Sequence, residues 1–274
     1  GFVVGMKTDN VWLGFAAAAV VGMIFAAIVA FGSIRLNQSQ VAIGFVLTLL
    51  GDDLSAFVGQ NYTRMRGAIV PHYGIPVLKD IPVIGKIFFD QDIVVYFAMA
   101  LIAATWWWLN RTQPGLKLRG SGERPQAAFA RGVDVNRQRY IYTLLGGALV
   151  GIAGAAYSLN VKIGWSDGHI RGMGWIALAI VIFGGWSPIR GAFGAILFGA
   201  TKALATVLQR AFPEVSVVAF NSLPWLLMIF VLLAVGSDYT ERFINAMPQG
   251  WQRPLRRILR VSPPMALGTP FHEG

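Results

Sequence analysis

Seven apolar runs, at about 11–31, 41–58, 93–109, 140–159, 173–186, 189–209 and 215–235, constrain this chain more than any other feature. Each comes near the roughly 20 residues that an α-helix needs to cross a bilayer, although several are short or interrupted. Membrane-spanning strands would alternate apolar and polar residues in segments of about ten, whereas these runs are continuous. Only 13% of residues are charged and the mean hydropathy is +0.57, against the roughly 25% charge usual in soluble domains. The expected fold is an all-α, polytopic transmembrane helical bundle of six or seven spans. It occupies residues 1–240, and 241–274 form a basic, proline-containing tail.

The net charge of +10 is unevenly spread. Residues 110–140 carry seven Lys/Arg against two acids, and the chain after Val235 adds five more. Cationic loops stay on the cytoplasmic side, so this distribution places both segments inside and the 60–92 loop outside, and argues against nucleic acid as a partner. Arg253, Arg256, Arg257 and Arg260 are either an anionic-lipid contact or an ordinary positive-inside tail. From Ser262 on, Pro263, Pro264, Gly268 and Pro270 argue against structure. There is no cysteine, and His72, His169 and His272 all lie outside the apolar runs, so thiol, metal or imidazole chemistry inside the membrane is not expected. Ser187 is followed by Pro188 without a G-x-S-x-G frame, which leaves a membrane enzyme without a nucleophile motif.

Between the third and fourth runs the local signals change. Pro125 suits a first helical position, Gly132 a left-handed position just past a helix end, and Asp134 the cap of the next helix. A helix of about two turns follows from this spacing. Ala127 and Ala128 give it a low face, and Arg124, Arg131, Arg137 and Arg139 surround it with positive charge. By residue chemistry alone it is either a docking element or a solvated connector.

Gly122, Glu123, Pro125, Ala127, Ala128, Gly132, Val133, Val135 and Arg137 fit the pattern G-E-x-P-x-A-A-x-x-x-G-[VI]-x-V-x-[RK]. That pattern resembles the cytoplasmic coupling loop, here 112–139, of ABC importer permeases serving branched-chain amino acids, simple sugars and nucleosides. The block from Gly174 to Gly199 and the stretch Asn37-Gln38-Ser39-Gln40-Val41 are similar to the nucleoside and simple-sugar branch. The resemblance implies a non-catalytic permease subunit in a bacterial-type inner membrane, forming the path for a nucleoside or simple sugar, with branched-chain amino acids as the alternative solute. It implies as partners ABC ATPase subunits, which bind the ATP and Mg, a second permease (a homologue or a copy) and an extracytoplasmic solute-binding lipoprotein. No cofactor is expected in this chain. The opening Gly-Phe-Val-Val-Gly-Met reads as the last turns of a span already under way, so further amino-terminal spans are expected.

Several polar residues compete for a place on the solute path. Asn37 and Gln40 either line it or satisfy helix ends. Asp52 and Asp53 stand where that family is usually apolar, and a carboxylate at a span's centre costs about 2.5–3.5 kcal/mol on insertion. Either they face an aqueous cavity, or the helix ends near Leu50 and they sit at a break, which Gly51 and Gly59 favour. They are also the only support for a different class, an ion-coupled secondary transporter or channel. Asn221 and Pro224 suggest a kink or interhelical hydrogen bond in the last span, with solute contact the lesser reading. The 60–92 loop, with Pro71, Pro76, Pro82, Gly74 and Gly85, either meets the binding protein or covers the bundle through Ile81, Ile84 and Phe88. Trp106, Trp107 and Trp108 read as interfacial anchors. Gly147 and Gly151, and Gly191, Ala195 and Gly199, are small residues at fourfold spacing suited to close helix packing, and Gly184-Gly185-Trp186-Ser187-Pro188 breaks a helix.

Overall fold

The computed structural model describes residues 1–76, 88–236, 245–248 and 263–271. Pro82, Gly85, Ile81, Ile84, His272 and the tail arginines Arg253, Arg256, Arg257 and Arg260 lie outside the described residues. Eleven helices are named here. They are α1 (Phe2–Thr8), α2 (Val11–Ala30), α3 (Gln40–Gly59), α4 (Ile93–Arg111), α5 (Gln113–Glu123), α6 (Pro125–Ala130), α7 (Val135–Ala156), α8 (Met173–Gly184), α9 (Pro188–Ala211), α10 (Val217–Asn221) and α11 (Leu223–Gly236). Strands β1 (His72–Gly74) and β2 (Asp90–Asp92) pair antiparallel, with Tyr73 opposite Gln91. Helices α2 and α7 each end in a π-helical turn, at Phe31–Arg35 and Tyr157–Val161.

Five helical stretches are long and apolar enough to span a membrane: Val11–Arg35, Gln40–Tyr62, Ile93–Arg111, Val135–Val161 and Pro188–Ala211. The run at 173–186 becomes the shorter α8, and that at 215–235 is divided by Ser222 into α10 and α11. A twelve-residue helix reaches about 18 Å, well short of the roughly 30 Å hydrocarbon core.

The chain divides into two compact units, Gly1–Ala103 with Arg111–Ile170 and Gly268–Gly274, and Ala104–Asn110 with Arg171–Leu267. In the first, α2 starts on the Asn10 side chain, whose Oδ1 accepts from Trp12 N (2.9 Å) and Leu13 N (3.3 Å). Gly14, Ala18, Gly22, Ala26 and Ala30 then place a small residue on each turn of one face. That face meets Gly147 and Gly151 of α7 backbone to backbone. A Cβ built on Gly22 would lie 2.1 Å from Gly147 O, one on Gly147 would lie 2.5 Å from Gly22 O, and one on Gly151 would lie 2.0 Å from Ala18 O. The expected packing role of Gly147 and Gly151 is therefore met, and its partner is the α2 stripe. At the end where α2 begins and α7 ends, Phe2, Val11, Ala18, Val70, Ala155, Leu159 and Trp165 form a buried core. By contrast, α4 buries none of its residues and α3 only Leu47 and Gly59.

The proposed break at Asp52-Asp53 is absent: α3 runs unbroken from Gln40 to Gly59, with both aspartates exposed within it. A glycine such as Gly51 costs a helix interior about 1 kcal/mol relative to alanine. Opening the hydrogen-bond ladder at membrane depth costs several kcal/mol for each unsatisfied group, so continuity wins.

In the second unit, Gly185 (φ 60°) and Trp186 (φ 55°) turn left-handed and α9 restarts with Pro188 at its first position, the break expected there. The expectation for Gly191, Ala195 and Gly199 is met at Gly191 and corrected at the other two. Gly191 does pack closely, since a Cβ built on Gly184 of α8 would lie 2.7 Å from Gly191 N and 2.8 Å from its Cα, whereas Ala195 and Gly199 are exposed. The turn instead directs Gly194 inward, against Phe183 and Ile180 of α8.

Substituting Gly151→Val should destabilise the protein by about 1–3 kcal/mol, since the backbone opposite cannot move aside. Gly154→Ala, where a Cβ meets nothing, should be neutral or slightly stabilising. Thermal melts in detergent, followed by fluorescence-detected size exclusion, compare the two.

Candidate functional site

The segment between α4 and α7 folds as two short helices. Thr112 caps α5, its Oγ1 accepting from Gly115 N at 3.2 Å, and α5 runs to Glu123 where a plain loop was expected. Pro125 then opens α6 at a position that needs no N–H. Helix α6 ends with Gly132 N donating to Phe129 O (2.8 Å) and Val133 N to Ala128 O (3.1 Å), a pair that requires Gly132 in its left-handed conformation, φ 79°. Asp134 starts α7, Oδ1 accepting from Arg137 N at 2.8 Å. All three local expectations from sequence are met.

Buried contacts hold this element in place. Pro125 and Val135 are buried, and so is Ser121, whose hydroxyl donates to Lys117 O at 2.9 Å and lies 3.1 Å from Gln138 Oε1 of α7. Glu123, Ala127, Gly132 and Arg137 are exposed, and Gly122, Ala128 and Val133 half-buried. With the exposed guanidinium-bearing Arg124 and Arg131, they make a firm, cationic, small-residue surface on a six-residue helix. Such a surface suits docking by another protein and supplies no nucleophile or metal ligand set. Among the described residues no cluster of three or more metal-ligating side chains occurs.

At the end of the same unit where α7 finishes lies a polar network. Both ring nitrogens of His72 meet carboxylates, Nε2 to Asp90 Oδ1 and Nδ1 to Asp92 Oδ1, each at 2.9 Å. Asp92 Oδ2 accepts from Asn160 Nδ2 at 3.1 Å, tying the strand pair to the π turn of α7. The hydrogen bonds to Asp90 and then Asp92 favour the charged ring and raise the His72 pKa above its ordinary value. Nearby, Ser158, buried, hydrogen-bonds His169 Nε2 at 3.1 Å, and Trp165 Nε1 donates to Ser55 Oγ at 3.3 Å. Sequence reading assigned these histidines no role. Asp90-Gln91-Asp92 eighteen residues after His72 is too weak a signal without the strand pairing.

The sequence model of the family described as "Branched-chain amino acid transport system / permease component" matches residues 1–235. The chain belongs to this permease family. It is 38% identical over 208 residues to a putative glucose ABC transporter permease protein of Haloferax volcanii, covering 74% of this chain and 63% of the relative. A nucleoside ABC transporter permease protein of Lactococcus lactis is 36% identical over 202 residues, 72% of this chain and 63% of that one. A guanosine ABC transporter permease protein of Bacillus subtilis is 32% identical over 232 residues, 81% and 72% of the two. The chain thus spans under two thirds of the length of the first two relatives. No solved structure matches it. Family membership and the five apolar helices make it a multi-pass membrane protein.

The proposed pathway residues of the first unit are spread along one helix and the turn before it. Asn37 (φ 51°) sits in the turn before α3, and Gln40 is the first residue of that helix; both are exposed. Asp52 and Asp53 lie twelve and thirteen residues farther along it, about 18–20 Å away at the helical rise. Asn221, exposed, ends α10 in the second unit.

Two measurements follow from this geometry. Gly132→Val, forced into the left-handed region, should cost α6 about 1–2 kcal/mol, and Asp134→Ala about 1 kcal/mol; both should speed tryptic cleavage at Arg131. For the His72 clasp the folded pKa lies above the ordinary 6.5 or so. Its stabilisation is therefore complete below pH of about 6.5 and fades as pH rises through the raised folded value. Amide exchange of Tyr73 and Gln91, corrected for intrinsic rates, should quicken over that window in wild type and lose the dependence in His72→Gln.

Proposed function

We propose that this chain is the permease subunit of an ATP-driven ABC importer and forms the translocation path for a nucleoside or simple sugar. The observation that carries the reading is the capped, exposed α5–α6 element bearing Gly122, Glu123, Pro125, Ala127, Ala128 and Gly132 on a family-matched membrane chain. Cytoplasmic ATPase subunits, holding the ATP and Mg, grip this element. A second permease completes the path, and a lipoprotein delivers solute to the outer face. The permease itself does no covalent chemistry. Residues 110–140 face the cytoplasm of a bacterial-type inner membrane, a placement their excess of cations supports. Closure of the ATPases on nucleotide favours one of two helix arrangements, and solute access alternates with that equilibrium. Relatives named for nucleoside, guanosine and glucose support the solute class.

The test is uptake of tritiated guanosine, uridine and glucose by the full-length permease reconstituted with its candidate ATPase and paired permease. One of the three should accumulate only with ATP, and a Glu123→Ala/Ala128→Trp variant that inserts normally should lose roughly tenfold or more of that uptake. Uptake driven by an ion gradient, indifferent to ATP and to that variant, would overturn the importer reading and direct attention to Asp52 and Asp53.

A further inference from the structure

A short piece of chain from far along the sequence lies against the coupling element. Phe271 is buried to 6% exposure even though the described residues 263–271 form no helix or strand, and their proline content argued against structure. Its ring lies 5.7 Å, centroid to centroid, from that of Phe129 on α6, tilted by 60°. The Arg139 guanidinium of α7 stands over the same ring, 6.0 Å from its centroid, and Arg139 Nη1 donates to Thr269 O at 3.1 Å. Phe271 therefore touches both the coupling helix and the second turn of the membrane helix that follows it.

The mechanical problem at this place is plain. Helix α6 has only six residues, and four residues, Arg131 to Asp134, with left-handed Gly132 among them, join it to α7. A push on α6 can be absorbed by rotation at Gly132 unless something fastens the two helices together. A tilted aromatic contact and a cation over a ring face are both attractive, and Phe271 makes one with each helix. Phe129 keeps 42% of its surface exposed beside this contact, so an incoming protein would meet it and the 268–271 segment side by side.

We propose that Phe271 is a positioning residue for coupling, a brace that fastens α6 to α7 so that displacement of the coupling helix by the ATPase reaches the membrane helices, with residues 268–271 forming part of the ATPase-facing surface. The inference rests on the importer reading above. It assigns the segment a working place, and it excludes a blocking role in which the segment must leave before the ATPase can dock.

The full-length permease with its ATPase and paired permease tests this. Residues 1–274 hold no cysteine, so once any cysteines elsewhere in the assembly are replaced, a Phe129→Cys/Phe271→Cys variant joined by a short bismaleimide reports the contact. Phe271→Ala should insert normally and retain ATP hydrolysis, yet move roughly three- to tenfold less guanosine, uridine or glucose per ATP, and Phe271→Tyr should restore the ratio. The double-cysteine variant should behave like Phe271→Ala before cross-linking and regain transport after it. Absence of the cross-link, an unchanged or raised ratio in Phe271→Ala, or loss of transport on cross-linking would each overturn the brace while leaving ATP-driven uptake by wild type intact. A wild type without ATP-driven uptake would take down the importer reading and the brace together.

Discussion

The contact between α2 and α7 is the one on which the first unit depends. Within lipid the hydrophobic effect gives helices little reason to pair, because acyl chains are as apolar as leucine. Close approach replaces it. With Gly22 against Gly147 and Ala18 against Gly151, main-chain atoms come near enough for dispersion to accumulate along several turns. The core of Phe2, Val11, Val70, Leu159 and Trp165 gathers at one end of this pair, and the α5–α6 element is attached at the other end of α7. Helix α7 thus connects the two polar regions of the unit.

Those regions are built differently. At the start of α7 the fixing contacts are caps and a buried serine: Asp134 on Arg137 N, Ser121 beside Gln138. They involve neutral partners or a backbone N–H and hold a small surface outward. At its end the contacts are charged, with His72 shared between Asp90 and Asp92 and Asn160 completing Asp92. The first arrangement gives a surface of fixed shape, while the second changes strength with proton concentration because its central group is a histidine whose pKa the hydrogen bonds to Asp90 and Asp92 raise.

Local punctuation was the part of this chain most legible in sequence. Pro125, Gly132 and Asp134 each act through their own backbone, so their meaning survives without knowledge of neighbours. The Gly184 to Pro188 break was readable for the same reason. Pairings were not. The fourfold spacing of Gly147 and Gly151 announced a close contact without naming α2 as its partner, and the same spacing at Gly191, Ala195 and Gly199 held only at Gly191, against Gly184, because the preceding turn sets which face of α9 packs. Asp52 and Asp53 suggested a break because their charge was weighed without the cost of opening α3. The Phe271 contact joins residues more than a hundred positions apart, beyond any local signal.

The two π-helical turns determine where close packing stops. Each inserts one extra residue into the α repeat, so every later side chain is rotated by about 100° relative to the face before it. On α2 the stripe of small residues faces α7 as far as Ala26, which meets Gly147; within the π turn Gly32 looks instead toward Ile43 of α3. On α7 the π turn carries three successive side chains to different neighbours, Ser158 to His169, Leu159 to Gly5 and Gly14, Asn160 to Asp92. A helix pair that would otherwise be an unbroken zipper is thereby given a defined length, and its ends are freed to address three or four neighbours in as many residues.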